Sequence, residues 1–166
     1  MQEHQKGHHE GSYLRRRFRA VAGNVLILNP NTACRKMLAC LLNEMLDIKQ
    51  CFESESIESA LSILDSQTVD FAIVDASSSR EARNRWVESL KLRCPMLPVM
   101  SVSILPADSD SNESMALISL EQTQRIMAAV RYMQTLMRTG LSGFTVFVNA
   151  ENAAKDSVTN NYLRER

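Results

Sequence analysis

Four short apolar runs in this chain end in side chains suited to charge or hydroxyl chemistry. Asn29-Pro30-Asn31 follows NVLIL, and Asp75, trailed by Ala76 and three serines, follows FAIV. Ser101-Val102-Ser103 ends a third run, and Ser119 follows Ala116–Ile118. A carboxylate such as Asp75 can hold a hard cation, attack as a nucleophile, or simply accept backbone N–H groups. Asn29 offers one neutral oxygen and Pro30 no side-chain oxygen at all. Other catalytic constellations are missing. His4, His8 and His9 are the only histidines and all precede residue 10, so no Ser-His-Asp or Cys-His arrangement forms around the strand ends. The glycines of a phosphate-cradling loop are absent there too. The chain therefore reads as a non-enzyme.

The cysteines, Cys34, Cys40, Cys51 and Cys94, share no CxxC spacing, which points to free thiols rather than a zinc site or a disulfide framework. Cys40 lies in an apolar periodic stretch and is expected to be buried. Asp108-x-Asp110-x-Asn112 has the start of a calcium loop, but Glu113 holds the position that requires glycine, so it reads as a solvated acidic loop.

Strands and helices alternate behind these side chains. Asn24–Leu28, Phe71–Val74 and Pro98–Val102 are short apolar runs of the kind buried on both faces of a parallel sheet. Ile48–Phe52 is more polar and suits an edge. Asn31 or Thr32 caps a helix whose apolar side is Leu38, Leu41, Leu42 and Met45. Ser56 caps a second, with Ile57, Ala60, Leu61 and Leu64 on one face. Ser78 and Glu81 form a capping box before a third, which shows Trp86, Val87 and Leu90. Ala116–Ile118 is expected as the fifth strand, and Ser119 with Gln122 as a capping box. The helix that follows shows Ile126, Val130, Met133 and Met137, and leaves Tyr132 and Leu136 for a dimer contact.

Gly140 and Gly143 mark the end of the strong pattern. The domain is thus expected over residues 23–139. A basic arm (1–22) precedes it, and an extension (140–166) follows, with an extra strand at 144–149 that prolongs an edge or pairs with another subunit. The fold class is α/β, three-layered, with a five-stranded parallel sheet.

The order and spacing of these segments, over roughly residues 24–138, resemble a response-regulator receiver domain of flavodoxin-like fold. The carrying segments are LILNPNTACRKML, FAIVDASSS, PVMSVS and ALISLEQ. The resemblance implies that Asp75 stands at the phospho-acceptor position and Ser103 at the switch hydroxyl. Asn29 and Pro30 occupy the place of the family's acidic pair, and Ser119 that of its Lys. Mg²⁺ is held by carboxylates, waters and phosphate oxygens, so losing the pair removes its ligands, and losing the Lys removes a charge that stabilises a phosphoryl oxygen. The resemblance therefore implies a divergent pseudo-receiver with weak or no phosphorylation and no bound cofactor. Only twelve residues separate Ser103 from Ala116, which leaves the fourth helix shortened or missing. Implied partners are a histidine kinase, a phosphotransfer protein, neighbouring domains of one longer chain, or a second copy.

Composition narrows the classes further. The chain has 166 residues, 19 Lys and Arg and 19 Asp and Glu, hence a formal net charge of zero. Nucleic-acid coating needs a basic surplus, and this sum has none. The balance is uneven, however: residues 1–20 carry five basic groups against two acidic ones, and residues 21–139 carry 11 against 14. The arm holds Tyr13-Leu14-Arg15-Arg16-Arg17-Phe18-Arg19, basic side chains between aromatic ones, read as a solvated linker before a nucleic-acid or membrane contact. No run of about 18 apolar residues exists, so no membrane-spanning helix is expected. Without a signal-peptide core the expected location is cytoplasmic. A competing class is a small α/β nucleotide-binding protein or enzyme using the same crevice.

Overall fold

The computed structural model describes residues 23–45, 47–75, 79–103, 120–149 and 157–160. The elements are β1 (Gly23–Leu28), α1 (Thr32–Asn43), β2 (Ile48–Ser54), α2 (Ile57–Ser66) and β3 (Phe71–Val74). They continue with α3 (Arg80–Arg93), β4 (Val99–Ser103), α4 (Leu120–Arg138), β5 (Phe144–Asn149) and β6 (Ser157–Asn160). One sheet runs in the order β2-β1-β3-β4-β5-β6. The first five strands are mutually parallel, and β6 is antiparallel to β5.

The alternation of side chains along buried strands builds two cores. On one face Val25, Ile27, Phe71, Ile73, Met100, Val102, Phe144, Val146 and Val148 pack under α1 and α4. On the other Leu26, Leu28, Ala72, Val74 and Val99 pack under α2 and α3. β2 is an edge strand, as its polarity suggests, with Lys49, Gln50 and Glu53 exposed.

The helix starts follow local hydrogen-bond chemistry. Asn31 caps α1 by accepting from the Cys34 N–H at 3.0 Å, and Ser56 caps α2 by accepting from the Ser59 N–H at 3.3 Å. For α3 the cap is Ser79, not Ser78: its Oγ accepts from the Ala82 N–H at 3.1 Å and donates to Glu81 at 2.9 Å. A Glu two residues past the cap meets the cap hydroxyl rather than its backbone N–H, so the capping-box register is displaced by one.

Two further expectations need correction. Cys40 is exposed and Cys34 is the buried thiol, because the inward stripe of α1 runs through Cys34, Arg35, Leu38, Ala39 and Leu42. The fifth parallel strand is Phe144–Asn149, seated directly beside β4, so the sheet continues past residue 139. Ala116–Ile118, expected in that place, falls outside the described residues, as do the arm, the acidic loop around Asp108 and Asp110, and Ser119. Gly140 does not end the domain. Its φ of 85° closes α4, with the Gly140 N–H bonding Met137 O at 3.0 Å and the Leu141 N–H bonding Leu136 O at 3.2 Å.

The position of α4 has a topological consequence. β1 to β2 steps one way across the sheet with α1 on its face, whereas β4 to β5 steps the other way with α4 on that same face. The β4–α4–β5 unit is therefore opposite in hand to the β1–α1–β2 and β3–α3–β4 units. About 98% of such crossovers are right-handed, which makes this one an exception.

Candidate functional site

The carboxyl ends of β1 and β3 bring Asn29 and Asp75 together. These strands are adjacent and in register, Leu28 opposite Val74, so the next residue on each points to the same face. Both side chains are fully buried. Asn29 Nδ2 donates to Asp75 Oδ2 at 2.9 Å. Asn29 Oδ1 meanwhile accepts the Asn31 N–H at 2.7 Å. The amide thus presents its donor side to the carboxylate and spends its acceptor on its own turn; the reverse orientation would set NH₂ against N–H. Backbone bonds hold the frame, with the Asp75 N–H on Leu28 O at 3.0 Å and the Asn29 N–H on Ser54 O at 3.0 Å.

Two arginines belong to this pocket that motif reasoning alone does not pick out. Arg35 of α1 is buried, and its Nη1 donates to Asn29 O at 2.7 Å and Pro30 O at 3.3 Å. Its Nη2 donates to Thr32 Oγ1 at 3.2 Å. Glu53 and Glu55 lie 3.8 and 3.9 Å from the same guanidinium. Arg83 of α3 lies within electrostatic range of Asp75. Burial pulls its guanidinium down, and the Asp75 carboxylate opposes that pull. Arg83 Nη1 reaches Val102 O at 3.4 Å. Cys34 completes the surroundings: burial first, and the Asp75 charge second, push its thiol up, away from thiolate reactivity.

Their signal was in the sequence as an irregularity. Arg35 sits three residues before Leu38 and seven before Leu42; Arg83 sits four before Val87 and seven before Leu90. A charged residue on an apolar helical stripe needs acceptors inside the fold.

The other expected site residues are placed less centrally. Pro30 is exposed and contributes only its carbonyl. Ser103 is the last residue of β4, half-buried and paired with Asn149 of β5. Ser101, opposite Val74, is the buried hydroxyl of that strand, and its Oγ has no hydrogen-bond partner among the described residues. Ser119 lies outside the described residues. Among the described residues no three His, Cys, Asp or Glu side chains group as metal ligands, and no helix is long and apolar enough to cross a membrane.

No protein-family model matches the chain, and no curated protein does. Solved structures do. The N-terminal domain of a response regulator/sensory box/GGDEF three-domain protein from Carboxydothermus hydrogenoformans matches with a TM-score of 0.53 at 12% identity, over 70% of this chain and 98% of that one. A CheY-like response regulator receiver domain protein from Methanospirillum hungatei matches with a TM-score of 0.53 at 10% identity, over 71% and 98%. The response regulator domain of Thermotoga maritima CheB gives 0.51 at 14%, over 70% and 96%. At these identities the likeness establishes the fold: the chain has the architecture of a receiver domain.

Proposed function

We propose that this chain is a receiver-fold signalling module of a two-component or phosphorelay pathway, acting by protein–protein contact, in which Asp75 does not serve as an efficient phospho-acceptor. Its partners in this reading are a histidine kinase, a phosphotransfer protein or domains of its own chain. The observation that carries the reading is the Asn29 amide. A Mg²⁺ ion beside Asp75 would need oxygen ligands, and Asn29 turns N–H toward the carboxylate while its oxygen is directed at the Asn31 N–H. Pro30 has no side-chain ligand to add. The residues present do not fit the ion, so no phosphoryl transfer is routed through it. Arg83, a permanent guanidinium, places positive charge within electrostatic range of the Asp75 carboxylate.

The test is incubation with Mg²⁺ and beryllofluoride, and separately with a small acyl phosphate, followed by intact-mass and fluorine NMR measurement. The expected result is no adduct with either reagent. A stoichiometric adduct that disappears in Asp75→Asn would overturn the reading.

A further inference from the structure

At the opposite end of the sheet from Asp75 lies a groove of about 370 Å³. Its floor is apolar, formed by Leu64, Val69, Met96, Leu97 and Pro98. Its rim holds Gln67 and Cys94, the C-cap residues of α2 and α3, together with Asp70. The carboxyl end of α2, which has no basic residue in its last turn, and the Asp70 carboxylate make that rim favourable to cations, while the last turn of α3 already carries Lys91 and Arg93. An apolar cleft of this kind suits a side chain of aromatic or aliphatic type flanked by basic ones.

Such a sequence stands immediately upstream. Leu14-Arg15-Arg16-Arg17-Phe18-Arg19 alternates the two chemistries the groove calls for. The chain enters the described fold at the groove's edge: Asn24 N–H donates to Asp70 Oδ2 at 2.7 Å, Asp70 N–H donates to Asn24 O at 2.8 Å, and Asn24 Nδ2 donates to Thr68 O at 2.8 Å. Thr68 and Asp70 both line the groove. Gly23 is the fifth residue after Phe18, a reach of up to ~16 Å, against ~5 Å between neighbouring strands. Length, exit point and charge agree on one occupant.

We infer that the basal groove is the docking site of this chain's own basic arm, with Phe18 or Leu14 seated on Leu64, Val69 and Leu97 and the arginines against Asp70 and the carboxyl end of α2. The arm is then an intramolecular ligand of the domain. Receiver chemistry at Asp75 plays no part in it, so this inference stands or falls independently of the proposed function.

Cys94, on the groove rim, supplies a native probe, with exposed Cys40 and half-buried Cys51 as internal controls. In the full chain, Phe18→Cys oxidised with glutathione disulfide should form an intramolecular disulfide to Cys94, mapped by peptide mass spectrometry, in preference to Cys40 or Cys51. Cys94 should also react with a thiol reagent about tenfold faster in Phe18→Ala/Leu14→Ala, as loss of a docked state worth that factor requires. The exposed Met96→Ser variant removes apolar surface from the groove without adding charge beside Cys94 or disturbing the core, and should give the same acceleration. A disulfide between two chains would assign the groove to a second copy and overturn the intramolecular assignment. Indiscriminate pairing with Cys40, or Cys94 reactivity unchanged in both variants, would overturn docking altogether.

Discussion

Asn29 has two donors and one acceptor, and the turn after β1 takes the acceptor, so Asp75 meets only N–H from that side. Replacing the donor changes the sign of the contact. Asn29→Asp would put a second carboxylate at hydrogen-bond distance in a buried pocket, a repulsion that grows as pH rises and that a divalent cation relieves. We expect Asn29→Asp to lose about 2–4 kcal/mol at neutral pH, the cost of a buried charge left without its partner, and to regain much of it in Mg²⁺. Urea midpoints with and without Mg²⁺ measure this; a variant as stable as the parent, or indifferent to Mg²⁺, would show that Asn29 is not what keeps the ion out. Asn29 and Asp75 were legible as a pair because both end apolar runs of adjacent strands. Arg35 and Arg83 were not, since an amphipathic reading assigns charged residues to solvent, and only their place on the apolar stripe betrays them.

α3 carries a second charged group turned inward, Lys91, whose Nζ donates to Leu97 O and, at 3.0 Å, to Phe144 O. It ties the helix to the approach of β4 and to the start of β5. Burial lowers its pKa to about 8. Unfolded, it titrates near 10.5, so between those values the unfolded chain binds more protons and stability rises with pH. Below about pH 8 both states are protonated and the cost of burying the charge is felt in full. Cys51 acts oppositely: burial pushes its thiol from 9.0 up to about 11, which lowers stability as pH rises through that interval. The difference between parent and Lys91→Met isolates the lysine, and the parent's denaturation midpoint should climb relative to the variant between pH 8 and 10. Parallel curves would rule this out.

The same element scale explains the cap of α4. Gly140 at φ 85° has open space around a would-be Cβ, so Gly140→Ala meets only backbone strain and should cost about 1 kcal/mol in thermal unfolding. That glycine is ambiguous in the sequence. A glycine pair after a long amphipathic helix fits a domain boundary and a helix stop equally well, and only the following strand's partner decides. Periodicity likewise shows that α4 has one apolar side, through Ile126, Val130 and Met133, but not which face of the sheet receives it. The four earlier strands and the caps at Asn31 and Ser56 were readable because their signals are local; the seat of β5 and the face of α4 depend on long-range pairing.

At the scale of the molecule that long-range pairing decides where the folding unit ends. β5 hydrogen-bonds β4 from Thr145 through Asn149 and inserts Phe144, Val146 and Val148 into the core beneath α1 and α4. Without it, α4 would cover a sheet lacking its fifth strand, and β4 would become an exposed edge with a bare apolar face. Truncating Phe144 alone to Ala should cost about 3–5 kcal/mol, against about 5–15 kcal/mol of total stability for a domain. A chain ending at Thr139 loses all three side chains and the β4 ladder together, which exceeds what the remaining core can offset. Such a chain should show no cooperative thermal transition by circular dichroism, while Phe144→Ala in the full chain still melts cooperatively at a lower temperature. A sharp transition in the 139-residue chain would instead make β5 an accessory strand, and the ordinary receiver boundary would then suffice.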